Sequence, residues 1–149
     1  MRKFRRRREN LTDYGRRLKL LRGDVPRLVV RDSNRYIYVQ FVEYGREGDA
    51  ILAQANSKEL LGHGIKLPSG SNTTAAYLTG LLAGLRAKKG GLENAILDAG
   101  LNVVTKGSKP LAALCGAIDA GIEVPHDPNS LSRERIDDKS YSEKVVKLA

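Results

Sequence analysis

The sequence predicts an α/β protein: a mixed β-sheet with helices on both faces, a basic N-terminal arm-helix and a polar C-terminal extension. Three observations lead there. Residues 27–56 hold three short runs rich in branched and apolar residues and separated by turn signals, the second of which alternates with the period of two that marks strands. Residues 72–89 and 110–121 carry apolar groups at helical spacing, with one short apolar run between them. The basic charge is gathered at one end. A run of strands followed by alternating helices and strand calls for a mixed sheet covered by helices.

The first ten residues are too basic and too poor in apolar groups to fold alone, and read as an arm. Thr12 and Asp13 can cap a helix whose Tyr14, Leu18 and Leu21 share one face, with Gly23 as its stop. Arg16, Lys19, Arg17 and Arg22 then lie on or near the opposite face. Such a helix is short and needs something to dock on. "RLVVRDS", "RYIYVQFVEY" and "AILAQAN" make three strands joined by the turns "SNR" and "GREGD", an antiparallel meander. In the second strand Tyr36, Tyr38, Gln40 and Val42 should share one face, and Ile37, Val39, Phe41 and Glu43 the other. A short helix over 58–64 follows.

Ser71 or Asn72 can cap a long helix reaching Lys89, which Gly90 and Gly91 end. Within it Ala76, Gly80 and Gly84 recur every four residues, a stripe that permits close backbone approach. "NAILDAG" supplies a fourth strand. Pro110 then opens a helix with Leu111, Leu114, Cys115 and Ile118 on one face, ended by Gly121. A last helix is expected near Ser142–Leu148. The organisation expected is a basic arm and helix over 1–23, a core over 24–126 and a polar extension over 127–149.

Composition narrows the function. The chain has 149 residues, 41% of them hydrophobic and 29% charged, which suits one domain with a real core. A single cysteine leaves no disulfide framework and fits a reducing compartment. No signal peptide is evident, and the most apolar segment, 75–85, is far short of the ~20 residues a membrane span needs. The expectation is a soluble cytoplasmic protein with no membrane partner.

The net charge of +9 is unevenly placed. Residues 1–35 hold thirteen Lys or Arg against four acids, and the remainder holds thirteen of each. A surface built for a polyanion gathers charge in this way. Arg2, Lys3, Arg5, Arg6, Arg7, Arg8, Arg16, Arg17, Lys19 and Arg22 carry it, with Phe4 and Tyr14 interleaved. Arginine forks suit bidentate phosphate contact, and aromatic rings stack on unpaired bases. Arg27, Arg31, Asn34, Arg35, Tyr36 and Tyr38 on the first hairpin could extend the same surface. RNA is favoured over DNA, since no helix-turn-helix, zinc finger or basic zipper is present to enter a major groove. Lys106, Ser108 and Lys109 stand at a helix start, where backbone N–H groups favour a phosphate. The loop lacks the P-loop spacing, and a plain capped helix would look the same.

Catalytic groupings are sparse. Asp32, Glu43 and Asp98 could be imagined as ligands of a nuclease metal, but nothing in the sequence joins them. Cys115 falls on an apolar helix stripe and reads as a core thiol. His63 and His126 with one cysteine do not make a structural zinc site. No cofactor, metal or small-molecule substrate is expected.

Four stretches taken together resemble one family. "FRRRRENLTDYGRRLKLL", "PRLVVRDSNRYIYVQ", "SNTTAAYLTGLLAG" and "LDAGLNVVTKGSKPLAALCGAIDAGIEVPH" are similar to the 5S-rRNA-binding proteins numbered eighteen in the large ribosomal subunit. The archaeal form, related to the eukaryotic large-subunit protein numbered five, is the nearer likeness. The resemblance runs in unbroken order from Phe4 to about His126. It implies a ribonuclease H-like three-layer core used for RNA binding without catalysis. It also implies a place on 5S rRNA in the central protuberance, with 23S rRNA and neighbouring large-subunit proteins as further partners. The RNA contacts it implies are Arg5 to Arg8, Thr12, Asp13, Tyr14, Arg16, Arg17 and Lys19, then Arg31, Asn34, Arg35 and Tyr38. Two other classes compete: a ribonuclease H-like metal nuclease using Asp32, Glu43 and Asp98, and a free RNA chaperone sharing the same surface.

Overall fold

A computed structural model describes residues 3–131 and 139–149. Arg2, one of the expected cations, lies outside the described residues, as does most of the polar stretch after Leu131. The chain opens with a single helical turn, α1 (Arg5–Arg8), and a second helix, α2 (Tyr14–Leu21). Asn10 between them adopts a left-handed conformation (φ 50°), which Asn tolerates better than most residues. Three strands follow, β1 (Arg27–Asp32), β2 (Ile37–Glu43) and β3 (Ala50–Asn56), then α3 (Ser57–Gly62) and the long α4 (Thr73–Lys89). Strand β4 (Ile96–Asp98), α5 (Lys109–Asp119), a 3-10 turn at Pro128–Ser130 and α6 (Lys139–Val146) complete the order.

The strands form one sheet in the order β3-β2-β1-β4. The predicted meander is present, with β1–β2 and β2–β3 antiparallel, and β4 adds in parallel beside β1. This is the mixed α/β sheet that the patterning requires. Leu28, Val30, Ile37, Val39 and Phe41 point to one face and are fully buried against α4 and α5. The alternation expected along β2 breaks at its end. A register shift between Phe41 and Val42 inserts an extra residue on β3. Val42, which shares the face of Arg27, is nonetheless buried, while Glu43 at the strand end is exposed although strict alternation had placed it with the core residues.

Helix α4 is buried along most of its length because it lies between the sheet and α5. Its small-residue stripe meets α5 as the spacing suggested. A Cβ on Gly80 would stand 2.1 Å from Ala113 O, and one on Gly116 of α5 would stand 2.1 Å from Tyr77 O. Each helix therefore offers a glycine to the other's backbone. Asn72 caps α4 by accepting from the Ala75 N–H at 2.7 Å. Cys115 is buried in the same helix pair, as its stripe position predicts. The second face of the sheet, carrying Arg27, Val29, Arg31, Tyr38 and Gln40, is reached by α2 and is otherwise open at Tyr38 and Arg31.

Candidate nucleic-acid interface

The surface begins with the arm. Arg5, Arg6, Arg7 and Arg8 are all exposed on α1, and among the described residues only Arg5 carries an ion pair there, to Glu9 at 3.1 Å, one turn on. Lys3 and Phe4 are exposed before it, Phe4 by 84%. Arg6, Arg7 and Arg8, with no acidic partner among the described residues, form a strongly positive edge.

Helix α2 is capped by Asp13, whose Oδ1 accepts from the Arg16 N–H at 3.1 Å. Asp13 thus serves the helix end, where a carboxylate also suits the dipole. The docked side of α2 differs from the expected one. Tyr14 and Leu18 are exposed, while Arg17, Leu20 and Leu21 are partly covered. The periodicity of Tyr14, Leu18 and Leu21 identified an apolar stripe, but polar anchors turn the helix away from it. Arg16 Nη1 donates to Gly100 O at 3.0 Å, and Arg17 Nη2 donates to Asp49 Oδ2 at 3.1 Å. Lys19 and Arg22 remain exposed with no partner on the core among the described residues.

Beneath α2 lies an alternating chain of charge. Arg27 spans two carboxylates, Nη2 donating to Asp49 Oδ2 at 2.6 Å and Nη1 to Asp98 Oδ2 at 3.0 Å. Arg31 Nη2 donates to Asp98 Oδ1 at 3.1 Å, and its Nη1 donates to the Asp98 and Val30 carbonyls. Burial opposes ionisation of Asp98, but the Arg31 charge, the Gly100 N–H and the Arg27 hydrogen bond outweigh it and hold the carboxyl below its usual range. Asp32 is likewise lowered: its partial burial is outweighed by the Asn102 amide and by Lys109.

Arg27 therefore leaves the expected contact surface. Only 3% of it is exposed, and its guanidinium is occupied by protein. A charge this deep requires paired carboxylates to be tolerated at all. Arg31 keeps 47% of its side chain exposed beside Tyr38, its partner across the β1–β2 ladder. Asn34 and Arg35 are exposed at the hairpin tip, and Tyr36 is half-buried next to them. The 99–109 loop lies at the same end of the sheet, tied there by Asn102 and Lys109 to Asp32. Lys106 is exposed on that loop. Ser108 precedes α5 without capping it, and its Oγ is buried. Lys109 Nζ is held by Asp32 at 3.3 Å and by Ser71 Oγ at 3.1 Å.

The structure thus gathers Arg6, Thr12, Asp13, Arg16, Arg17 and Arg31 around one cleft closed by Asp98, Gly100 and Asn102. Glu43 is not among them. It lies beyond the Val42–Arg27 pair, at the far end of β1 from Asp32, so about 20 Å of strand separates the two acids. Among the described residues no group of three His, Cys, Asp or Glu could hold a metal ion. Two partners escaped the sequence reading. Asp49 sits in a turn whose residues signal only a reversal, and Gly100 contributes a carbonyl that no pattern marks.

A sequence model of the family described as ribosomal large subunit proteins 60S L5 and 50S L18 matches residues 1–92 and 88–127. The large ribosomal subunit protein uL18 of Korarchaeum cryptofilum is 52% identical over 147 residues, covering 99% of this chain and 73% of that protein. Its counterpart in Haloarcula marismortui is 52% identical over 129 residues, covering 87% and 68%. That of Aeropyrum pernix is 51% identical over 128 residues, covering 86% and 60%. No described helix is long and apolar enough to cross a membrane.

Proposed function

Because this chain belongs to the family of large-subunit ribosomal proteins 60S L5 and 50S L18, we propose that it binds 5S rRNA and helps attach it in the central protuberance. Membership makes it a structural constituent of the large subunit, working in the ribosome and performing no reaction of its own. The finer reading rests on the placement of charge. Ten Lys or Arg in residues 2–23 end in an exposed arginine turn, and the next helix fastens that turn to the folded core. No acid excess elsewhere in the chain neutralises this charge, and phosphates account for such a surface.

The outward groups sort by what each could reach. Arg6, Arg7, Arg8, Lys19 and Arg22 suit phosphates. Phe4, Tyr14 and Tyr38 expose ring faces on which unpaired bases could stack. Arg31, Arg35 and Lys106 carry the same surface to the hairpin end of the sheet, where 23S rRNA or a neighbouring subunit protein could complete the contact. Arg16, Arg17 and Arg27 serve the protein's own geometry.

The test is a filter-binding titration against 5S rRNA, other rRNA fragments and tRNA, with a variant lacking residues 1–22 alongside. Tight binding selective for 5S rRNA, lost in the truncation, supports the reading. Equal binding to every RNA would reduce the arm to a polycation and overturn the 5S assignment.

A further inference from the structure

Helix α2 has eight residues, too few to persist on helix propensity alone. Its apolar docking is meagre, since Leu20 and Leu21 are only half-buried and Leu18 is 57% exposed. What fixes its direction is polar: the Arg17–Asp49 pair, and the Arg16 bond to Gly100 O. Both anchors lead to the same place. Asp49 Oδ2 accepts from Arg17 and from the buried Arg27, and Arg27 continues to Asp98. Asp98 Oδ1 accepts from the Gly100 N–H at 3.0 Å and so shapes the loop that presents the carbonyl to Arg16. Gly100 itself sits at φ +64°, and a Cβ there would come within 2.9 Å of the Arg31 guanidinium.

We infer that Asp49 is a positioning residue for the RNA surface: an acid that strengthens polyanion binding by clamping α2, and with it the arginine turn, onto the core. The inference rests on the RNA-binding reading above. Its distinctive feature is its sign. By charge alone an aspartate beside ten cations repels phosphate, so removing it should tighten binding. If instead Asp49 holds α2 in the one orientation that aims Arg6, Arg7 and Arg8, removing it lowers the population of the binding-competent geometry and weakens binding. Arg17 gives up phosphate contact in exchange for this orientation. Arg27 makes the acid's position rigid, because a guanidinium only 3% exposed cannot move without giving up its buried pair with Asp98.

The experiment uses the full chain, an in vitro transcript of 5S rRNA, and the variants Asp49→Asn and Glu47→Gln. Glu47 lies in the same turn, is exposed and enters no ion pair found among the described residues, so it reports the charge effect alone. We expect Asp49→Asn to bind about tenfold more weakly, as a tenfold fall in the competent fraction requires. Glu47→Gln should bind equally or slightly more tightly. Hydrogen exchange provides the readout that charge cannot mimic: residues 14–21 should exchange faster in Asp49→Asn while α4 and α5 keep their protection. Unchanged exchange in α2, or equal or tighter RNA binding by Asp49→Asn, overturns the inference. If Asp49→Asn unsettles the core, Arg17→Gln carries the same exchange test, because Arg17 is at the solvent edge and its loss spares the Arg27–Asp98 pair. Wild-type protein that fails to bind the transcript would count against the RNA reading, while the exchange result would still decide the clamp.

Discussion

Asp98 is the residue on which the most structure depends. Its two oxygens take Arg27, Arg31 and the Gly100 N–H, and the sheet, the 99–102 loop and the α2 anchor all meet there. Asp98→Asn would leave Arg27 buried against a neutral amide. Removing one member of a buried pair costs about 3–5 kcal/mol, and the remaining Asp49 contact places this case near the lower end. A melting temperature lower by roughly 6–12 °C is the expected outcome, read by thermal denaturation. The same carboxylate sets an acid limit. Its folded pKa lies below that of the unfolded chain, so its contribution is complete above about pH 4 and disappears as pH falls through the depressed value. Asp32 acts in the same direction. The wild-type Tm should therefore decline below about pH 4, and more steeply than that of Asp98→Asn. Parallel declines would show that Asp98 is not a source of the acid sensitivity.

Among the elements, the α4–α5 pair decides whether the core closes. Both helices are rich in Ala and Gly, so their backbones touch where bulkier chains would hold them apart. Gly80→Ala would drive a methyl group into the Ala113 carbonyl region, backbone that cannot rotate away. A loss of about 1–3 kcal/mol is expected, as for other overpacked sites. Gly62 in the last turn of α3 meets nothing within 4 Å. There the same substitution should be neutral or stabilise by up to about 1 kcal/mol through helix propensity. Urea melts of the two variants compare them directly, and equal midpoints would refute the close-packing account. Helix α2 makes the opposite case. Its stability comes from two arginine anchors instead of buried apolar area, which is why its exposed Leu18 is tolerated and why its apolar stripe misidentified the docking side.

For the whole molecule the governing quantity is where charge lies. The excess of +9 belongs to residues 1–35, while the rest is neutral overall, so association with RNA should respond to salt through the arm. Neutralising about six phosphates gives a slope of log affinity against log salt near −4 to −5, a loss of roughly a thousandfold between 50 and 200 mM. Filter binding across that range reads the slope directly, and a value near −1 would sink the proposal of an extended phosphate track. The buried and ion-paired arginines contribute least to it: Arg27 has no access to phosphate, and Arg17 is paired with Asp49.

Local chemistry determined much of this protein from the sequence alone. The strand periods, the Asn72 cap, the Pro110 start, the four-residue glycine spacing of α4 and the gathered basic charge each act over a few residues, so each is legible without a fold. Other features involve groups distant along the chain and arise only when the sheet forms. Asp49 and Asp98 are ordinary aspartates in a turn and at a strand end until β1 and β4 pair and bring Arg27 between them. The register shift between β2 and β3 arises from the pairing of the two strands and is not marked in β2 itself. The division of the arginines into those that face solvent and those that hold the fold was likewise decided by tertiary structure. A guanidinium has the same sequence signature in both roles, and only the carboxylates that surround it after folding separate the two.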